Sequence, residues 1–354
     1  MAAFDIKKLL QSVVTHGASD LHLVSRTEPQ IRLDGVLKPV NLPTLTGEDI
    51  EEMCYSLITE KQKQQFEEYD ELDFALLLPG IGRFRANYYR TLGDTAAAFR
   101  IIPIDIPSLD DLGAPEVYKS LIKREKGLIL VTGPTGSGKS TTLAAMLNEI
   151  NLHEQKHVIT VEDPVEFIHQ NKKCVFSHRG VGEDTASFAK ALKYAMRQDP
   201  DIILIGEMRD KETIEAGLTA SETGHLVFAT LHTSSAAGTI NRIIDVFTGD
   251  EQPQIRAMIA SSLVAVIAQA LLPKLGGGRV AASEILITNH AISNLIREDK
   301  VHQIYSQMQL GQGDTGMQTQ TQALLKFLRD GKISREIAVQ YANRPDEVSK
   351  QMMV

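Results

Sequence analysis

The sequence predicts an α/β protein of two domains, the second built on a parallel sheet, and three observations predict it. First, the chain has 354 residues, which is room for roughly two domains of about 150. Second, from residue 115 onward short, nearly continuous apolar runs alternate with helical patterns. Strands buried on both faces read this way when helices cover a parallel sheet. Third, PIDIPSLDDLGA at 103–114 is rich in proline and aspartate, a composition that stops regular structure. The expected division is a first domain at 1–102, a linker at 103–114 and a second domain at 115–354.

The first domain reads as mixed α and β. Phe4, Leu9, Leu10 and Val13 have helical spacing over 4–15. Short strands are predicted at LHLV (21–24) and QIRLDG (30–35), the latter closing on an Asp-Gly turn signal. ITEKQKQQFEEY (58–69) reads as a polar-faced helix. LDFALLL (72–78) and RFRANYYR (83–90) flank Pro79-Gly80, which predicts paired strands and a turn. TAAAFRIIP (95–103) reads as one more strand. In the second domain, strands are expected at GLILVTG (127–133), HVITVED (157–163), DIILIGE (201–207) and HLVFATLH (225–232). Helices are expected at 139–150, 185–197 and 210–220. RVAASEILI (279–287) suggests a further strand. Helical segments follow to the end, broken by a Gly-rich stretch at 311–316.

Composition narrows the function. Acidic residues outnumber basic ones, 45 to 37, for a net charge of −8. A dedicated nucleic-acid binder shows the opposite balance. The two cysteines, Cys54 and Cys174, form no CxxC pair, so a tetracysteine zinc site is excluded and no disulfide framework is indicated. The N-terminal MAAFDIKKLLQSVV lacks the apolar core of a signal peptide. The most apolar stretch, Leu263 to Leu272, is too short for a bilayer and contains Gln269. A cytoplasmic location is expected.

Residues 133–140, GPTGSGKS, carry the phosphate-loop pattern, with a predicted strand before and a predicted helix after. Gly133, Gly136 and Gly138 let the backbone wrap close to phosphates. The N–H groups of Gly133, Pro134–Gly138 as a loop and the helix start then face an anion, with Thr135 and Ser137 between the glycines (Pro134 itself has no N–H). Lys139 reaches the β- and γ-phosphates. Ser140 is suited to Mg²⁺, with Thr141 beside it.

Such a cradle needs carboxylates to hold hydrated Mg²⁺ and to orient a water. In parallel sheets these sit at the carboxyl ends of strands. Glu207 follows the run DIILIG in that position. Glu162 and Asp163 end HVITVED, and Pro164 stops the strand. Adjacent residues of an extended chain face opposite ways, which favours one of the two, Glu162, for the site. Either Glu162 or Glu207 could orient water. His225 and His232 flank the next strand. His232 is at its carboxyl end, suited to sensing a γ-phosphate, whereas His225 reads as structural. In the first domain, Arg83 and Arg85 share a strand face and Phe84 turns to the core. Spacing alone makes those arginines, with Arg90 and Arg100, a solvated face.

In this order, GPTGSGKS, VEDPVEF, DIILIGEMRD and ETGHLVFATLHT resemble the four boxes of the secretion ATPase superfamily of type II secretion and type IV pili. ASDLHL with IRLDG, RFR and FRIIP resemble its N-terminal segments, so the likeness covers essentially the whole chain. Within the superfamily the sequence is most similar to the type IV pilus retraction ATPases. The chain is short, the tetracysteine motif of assembly ATPases is absent, and AISNLIRED (291–299) resembles the retraction signature, with Ser293 where that signature has arginine. From periodicity alone the same segment is a short amphipathic helix with Ile292, Leu295 and Ile296 on its apolar side.

The resemblance implies a PAS-like N-terminal α+β domain and a RecA-like P-loop ATPase domain with a helical C-terminal tail. It implies ATP and Mg²⁺ as cofactors, with Ser140 and Glu207 at the metal. It assigns Glu162, Glu207, His232, Arg85 and Arg100 to catalysis. It further implies a homohexameric ring acting on an inner-membrane pilus platform protein, meeting the membrane only peripherally at the base of the pilus machine, and a possible paralogous retraction ATPase as partner. An accessory retraction ATPase and an assembly or type II secretion ATPase are the alternatives within the class. An ATP-binding switch with little turnover is the alternative outside it, opposed by the intact Lys139, Ser140, Glu162 and Glu207.

Overall fold

A computed structural model describes residues 5–33, 35–310 and 315–352. Phe4, Asp34 and most of the Gly-rich break expected at 311–316 lie outside the described residues. The chain forms two compact units. One runs to Asp105 and includes Pro164–Ile168; the other comprises Ile106–Asp163 and His169 onward.

The first unit contains α1 (Ile6–Thr15), β1 (Asp20–Leu23), β2 (Gln30–Leu33), β3 (Val36–Pro39), α2 (Gly47–Tyr55), α3 (Glu60–Tyr69), β4 (Glu71–Leu78), β5 (Gly82–Thr91) and β6 (Asp94–Ile102). The strands pair antiparallel in the order β3-β2-β1-β6-β5-β4. α1 buries Leu9, Leu10 and Val13, as expected from their spacing, and Ile6 with them. α2 was not legible as a helix in the apolar pattern, because only Ile50, Met53 and Cys54 are buried. Its signal is the capping box instead: Thr46 accepts from the Asp49 N–H while Asp49 accepts from the Thr46 N–H. Pro79-Gly80 makes the expected turn, with Gly80 at φ +76° and Leu78 opposite Gly82. The core is aromatic. Phe66, Phe74 and Phe99 each meet Tyr88 near edge-on, with centroids 6.1, 5.2 and 5.9 Å away. The buried Tyr88 hydroxyl donates to the Cys54 carbonyl at 3.1 Å.

The second unit contains α4 (Val117–Leu121), β7 (Gly127–Thr132), α5 (Lys139–His153), β8 (His157–Glu162), β9 (Val175–Gly180), α6 (Phe188–Ala195), β10 (Ile202–Ile205), α7 (Lys211–Glu222) and β11 (Leu226–Leu231). It continues with α8 (Ala236–Ile244), α9 (Gln252–Ser262), β12 (Leu263–Pro273), β13 (Arg279–Ile287), α10 (His290–Arg297) and α11 (Ile304–Leu310). It ends with α12 (Gln320–Arg329), α13 (Arg335–Gln340) and α14 (Pro345–Gln351). The sheet order is β13-β12-β7-β11-β10-β8-β9, parallel except for the antiparallel β12–β13 pair.

Burial on both faces explains the continuous apolar runs. Along β7, Leu128 and Leu130 join one core with α6, α7, α8 and α9, whereas Ile129 and Val131 join another with α4 and α5. Two strands of this unit were not read from the sequence, nor was the exposed β3 of the first unit. β12 is the apolar stretch that was too short for a bilayer. It is a strand beside β7, and its length simply fits the sheet. β9 (VFSHRG) lacks an apolar run because it is an edge strand with only Gly180 buried. Residues 103–114 carry no regular element, although Leu109 is buried with Tyr118 and Leu121 of the second unit. No helix among the described residues is long and apolar enough to cross a membrane.

Candidate active site at the carboxyl edge of the parallel sheet

β7 stops at Thr132, and the next residues turn left-handed. Gly133, Gly136 and Gly138 have φ of 144°, 80° and 90°, values that L side chains rarely adopt. Pro134, Thr135 and Gly136 are exposed, while Ser137 is buried. Lys139 opens α5, and its Nζ donates to the carbonyls of Gly133 at 2.9 Å and Pro134 at 3.1 Å. The ammonium thus lies over the loop, where an anion would be held by the same loop's N–H groups and the start of α5. Ser140 and Thr141 are on the first turn of α5, each partly exposed.

Strand register aligns the other groups. Ile205 is opposite Val161 on one side and Ala229 on the other, and Leu231 is opposite Thr132. Gly133, His232, Glu207 and Glu162 therefore lie at the carboxyl ends of four successive strands, β7, β11, β10 and β8. The Nε2 of His232 is 3.0 Å from Oε1 of Glu207, and the Nε of Arg209 meets the same oxygen. Burial alone would raise the Glu207 carboxyl, but the Arg209 hydrogen bond and the His232 and Arg209 charges outweigh it and hold it below the usual glutamate range. These contacts favour the carboxylate form of Glu207. Gly206 lets the two carboxylate-bearing strand ends converge. A Cβ there would stand 3.1 Å from both Glu162 Cα and the Val161 carbonyl. Glu162 is buried and Asp163 exposed, the opposite facing expected of neighbours. Among the described residues, no group of three or more histidines, cysteines or acids is arranged to hold a metal by itself.

His225, at the opposite end of β11, has Nδ1 3.0 Å from the Ala220 carbonyl. It is far from this edge in register. In the first unit, Arg85 and Arg100 stand directly opposite each other across β5 and β6. Arg85 pairs with Asp73, with Nη2 to Oδ2 at 2.5 Å, and Arg100 Nε meets Asp20 Oδ1 at 2.8 Å. For Asp20, burial is again outweighed, here by the Ser19 hydroxyl and the Arg100 guanidinium, so its carboxyl titrates low. Arg83 behaves differently. It is 7% exposed, and its guanidinium donates to the main-chain carbonyls of Val165 and Glu166. Phe84 is buried in the core, as expected.

Three residues at the edge were missed. Arg209 and Arg242 line a pocket of about 310 Å³ with Glu207, His232 and Thr233. Arg209 is two positions past Glu207, a spacing that could have flagged it. Gln269 braces the phosphate loop from β12. Its signal was a lone polar side chain in an apolar run.

Comparison with known proteins places the chain in a family. Residues 2–337 match the family model for type II/IV secretion system proteins. The chain is 50% identical to the type IV pilus retraction ATPase PilT of Pseudomonas aeruginosa, over 97% of this chain and 99% of that one. It is 46% identical to a twitching motility protein of Neisseria gonorrhoeae, over 98% of this chain and 93% of the other. The crystal structure of the pilus retraction motor PilT with bound ADP superposes with a TM-score of 0.91 at 47% identity, covering 98% of this chain and 99% of that one. The mixed α/β architecture is that of these ATPases. By sequence and by fold, the chain belongs to the type II/IV secretion system protein family, among its type IV pilus retraction ATPases.

Proposed function

We propose that this chain is the subunit of an ATP-hydrolysing motor that drives type IV pilus retraction and twitching motility. The observation that carries the reading is the shared edge: a phosphate loop with Lys139 over it, and the Glu207–His232 pair at the ends of the next two strands of the same sheet. Residues 133–141 hold the nucleotide phosphates. The Ser140 hydroxyl and the Glu207 carboxylate would hold Mg²⁺, which would supply neutralising positive charge for phosphoryl transfer. Glu162 or Glu207 orients the attacking water, and His232 reports the γ-phosphate to Glu207 through their contact. Arg85 and Arg100 neutralise charge on the transferred phosphoryl group.

The finer architecture belongs to the same proposal. We assign 1–102 to a PAS-like domain, 103–114 to a linker and 115–354 to a RecA-like ATPase domain with helical tail. The antiparallel sheet of the first unit and the parallel sheet of the second support that division. Homohexamer assembly, action on an inner-membrane platform protein at the cytoplasmic base of the pilus, and a paralogous ATPase as co-worker follow from family membership alone.

Two measurements test the proposal. Purified chain should release phosphate from ATP, and Glu207→Gln should bind ATP yet lose about 100-fold or more in turnover. Turnover equal to wild type in that variant would remove Glu207 from the chemistry. Deleting the gene in its host should leave cells with more surface pili and no twitching. Bald cells would instead make this an assembly motor.

A further inference from the structure

Gln269 sits on β12, one residue past the point where Ala268 stands opposite Thr132, the last residue of β7. It is therefore level with the start of the phosphate loop. Its side chain is 4% exposed and satisfied at both ends. Oε1 accepts from the Thr142 hydroxyl in the first turn of α5 at 3.0 Å, and Nε2 donates to the Ser137 carbonyl within the loop at 2.8 Å. One amide thus ties the loop to the helix that follows it.

The same residue presses on both ends of the loop. A Cβ on Gly133 would stand 2.2 Å from the Gln269 carbonyl, and one on Gly138 would stand 2.9 Å from its Nε2. Two of the loop's glycines are needed for the contact with β12 as well as for phosphate. A buried amide bonded at both ends resists displacement, because moving the loop would leave a donor, an acceptor or both unpaired in a dry place.

We propose that Gln269 is a positioning residue for nucleotide binding, a brace that holds the phosphate loop in its anion-receptive form before ligand arrives. It touches the loop at the Ser137 carbonyl and the following helix at the Thr142 hydroxyl. This rests on the nucleotide reading above.

The test compares full-length variants by ADP titration calorimetry and by melting temperature without nucleotide. Gln269→Met keeps the length and removes both bonds. Thr142→Val removes one bond at nearly constant volume. Asn151→Leu is the control, since Asn151 is an equally buried amide near the other end of α5, bonded to the backbone of residues 170, 172 and 174. ADP affinity should fall about tenfold in Gln269→Met and about threefold in Thr142→Val. Asn151→Leu should lower the melting temperature yet keep affinity within about twofold. An affinity unchanged in Gln269→Met, or lowered as much in the control, would overturn the brace. If Gln269→Met does not fold, wild-type affinity in Thr142→Val overturns it equally. A wild-type chain that binds no ADP would sink the nucleotide reading and this inference with it.

Discussion

The arginines of the first sheet and the carboxylates of the second are held in place by opposite devices. Arg85 and Arg100 rise from the middle of antiparallel strands, and each leans on a carboxylate, Asp73 or Asp20. The Arg85–Asp73 pair is wetted on both sides, 39% and 35% exposed, and such a pair contributes about 0–1 kcal/mol, whereas Arg100, 65% exposed, leans on an Asp20 carboxylate only 10% exposed. Glu207 and Glu162 instead stand where parallel strands end, and the backbone itself brings them to one edge. For Glu207, Arg209 and His232 then fix charge rather than place. The difference teaches that a parallel sheet writes its site into topology, while an antiparallel sheet leaves it to side-chain pairing.

The largest effect should come from the parallel edge. Lys139→Ala removes the only side-chain cation of the GPTGSGKS motif, and ADP affinity should drop about 100-fold or more in titration calorimetry. Binding like wild type would break the comparison at its root. Next, Glu162→Gln should lower the turnover number about 100-fold with ADP affinity retained, as expected of a water-orienting group. Full turnover would leave Glu207 alone in that role. A smaller loss is expected on the antiparallel side. Arg100→Ala should reduce turnover about tenfold, roughly 1.4 kcal/mol of transition-state contact, while the melting temperature hardly moves. A large fall in melting temperature would make Arg100 a structural member of its sheet.

The smallest effect sharpens the contrast within the second sheet. Glu284 lies in the middle of β13, 4% exposed, not at the edge. Burial raises its carboxyl above the ordinary value, more than the N–H donors of Ala236 and Gln320 and the Arg344 charge lower it. The folded state then binds this proton more tightly than the unfolded chain. Stability therefore falls as pH rises from the ordinary glutamate value through the raised one. Glu284→Gln keeps an acceptor for the Ala236 N–H, which reaches Oε1 at 2.8 Å, and removes that dependence. Its melting temperature should exceed wild type by about 2–4 °C at pH 8 and match it at pH 4. A variant less stable than wild type at pH 8 would show that the carboxylate is satisfied in place.

What was legible in the sequence follows the same division. The four strands around the nucleotide loop announced themselves, because burial on both faces leaves no room for polar residues. The carboxylates and His232 could then be placed by strand ends alone. β12 was hidden because its apolar run was weighed only as a membrane segment, although Pro273 and Gly276 to Gly278 follow it as a turn signal, and Gln269 was hidden with it. The arginines resisted for a different reason. Arg83, Arg85 and Arg100 look alike in sequence, yet one is buried against main-chain carbonyls and two face water on opposed strands. Only register separates them. Ser293 was likewise visible as a departure from the retraction signature but not as a contact. Its hydroxyl donates to the Ala260 carbonyl of α9 at 2.9 Å, docking α10 where Ile292 and Ile296 are buried.

The short passage Pro164–Ile168 has a consequence for inheritance. Those five residues lie far along the chain, between Asp163 and His169, yet they complete the body formed by residues up to Asp105. Arg83 grips two of their carbonyls. A gene fusion joined within 103–114 would therefore transplant a body missing one of its own pieces, which would be supplied by the recipient's second half. The two units cannot be shuffled as independent cassettes, and a chimera made at that seam should fold well only when the five-residue insert is transplanted as well.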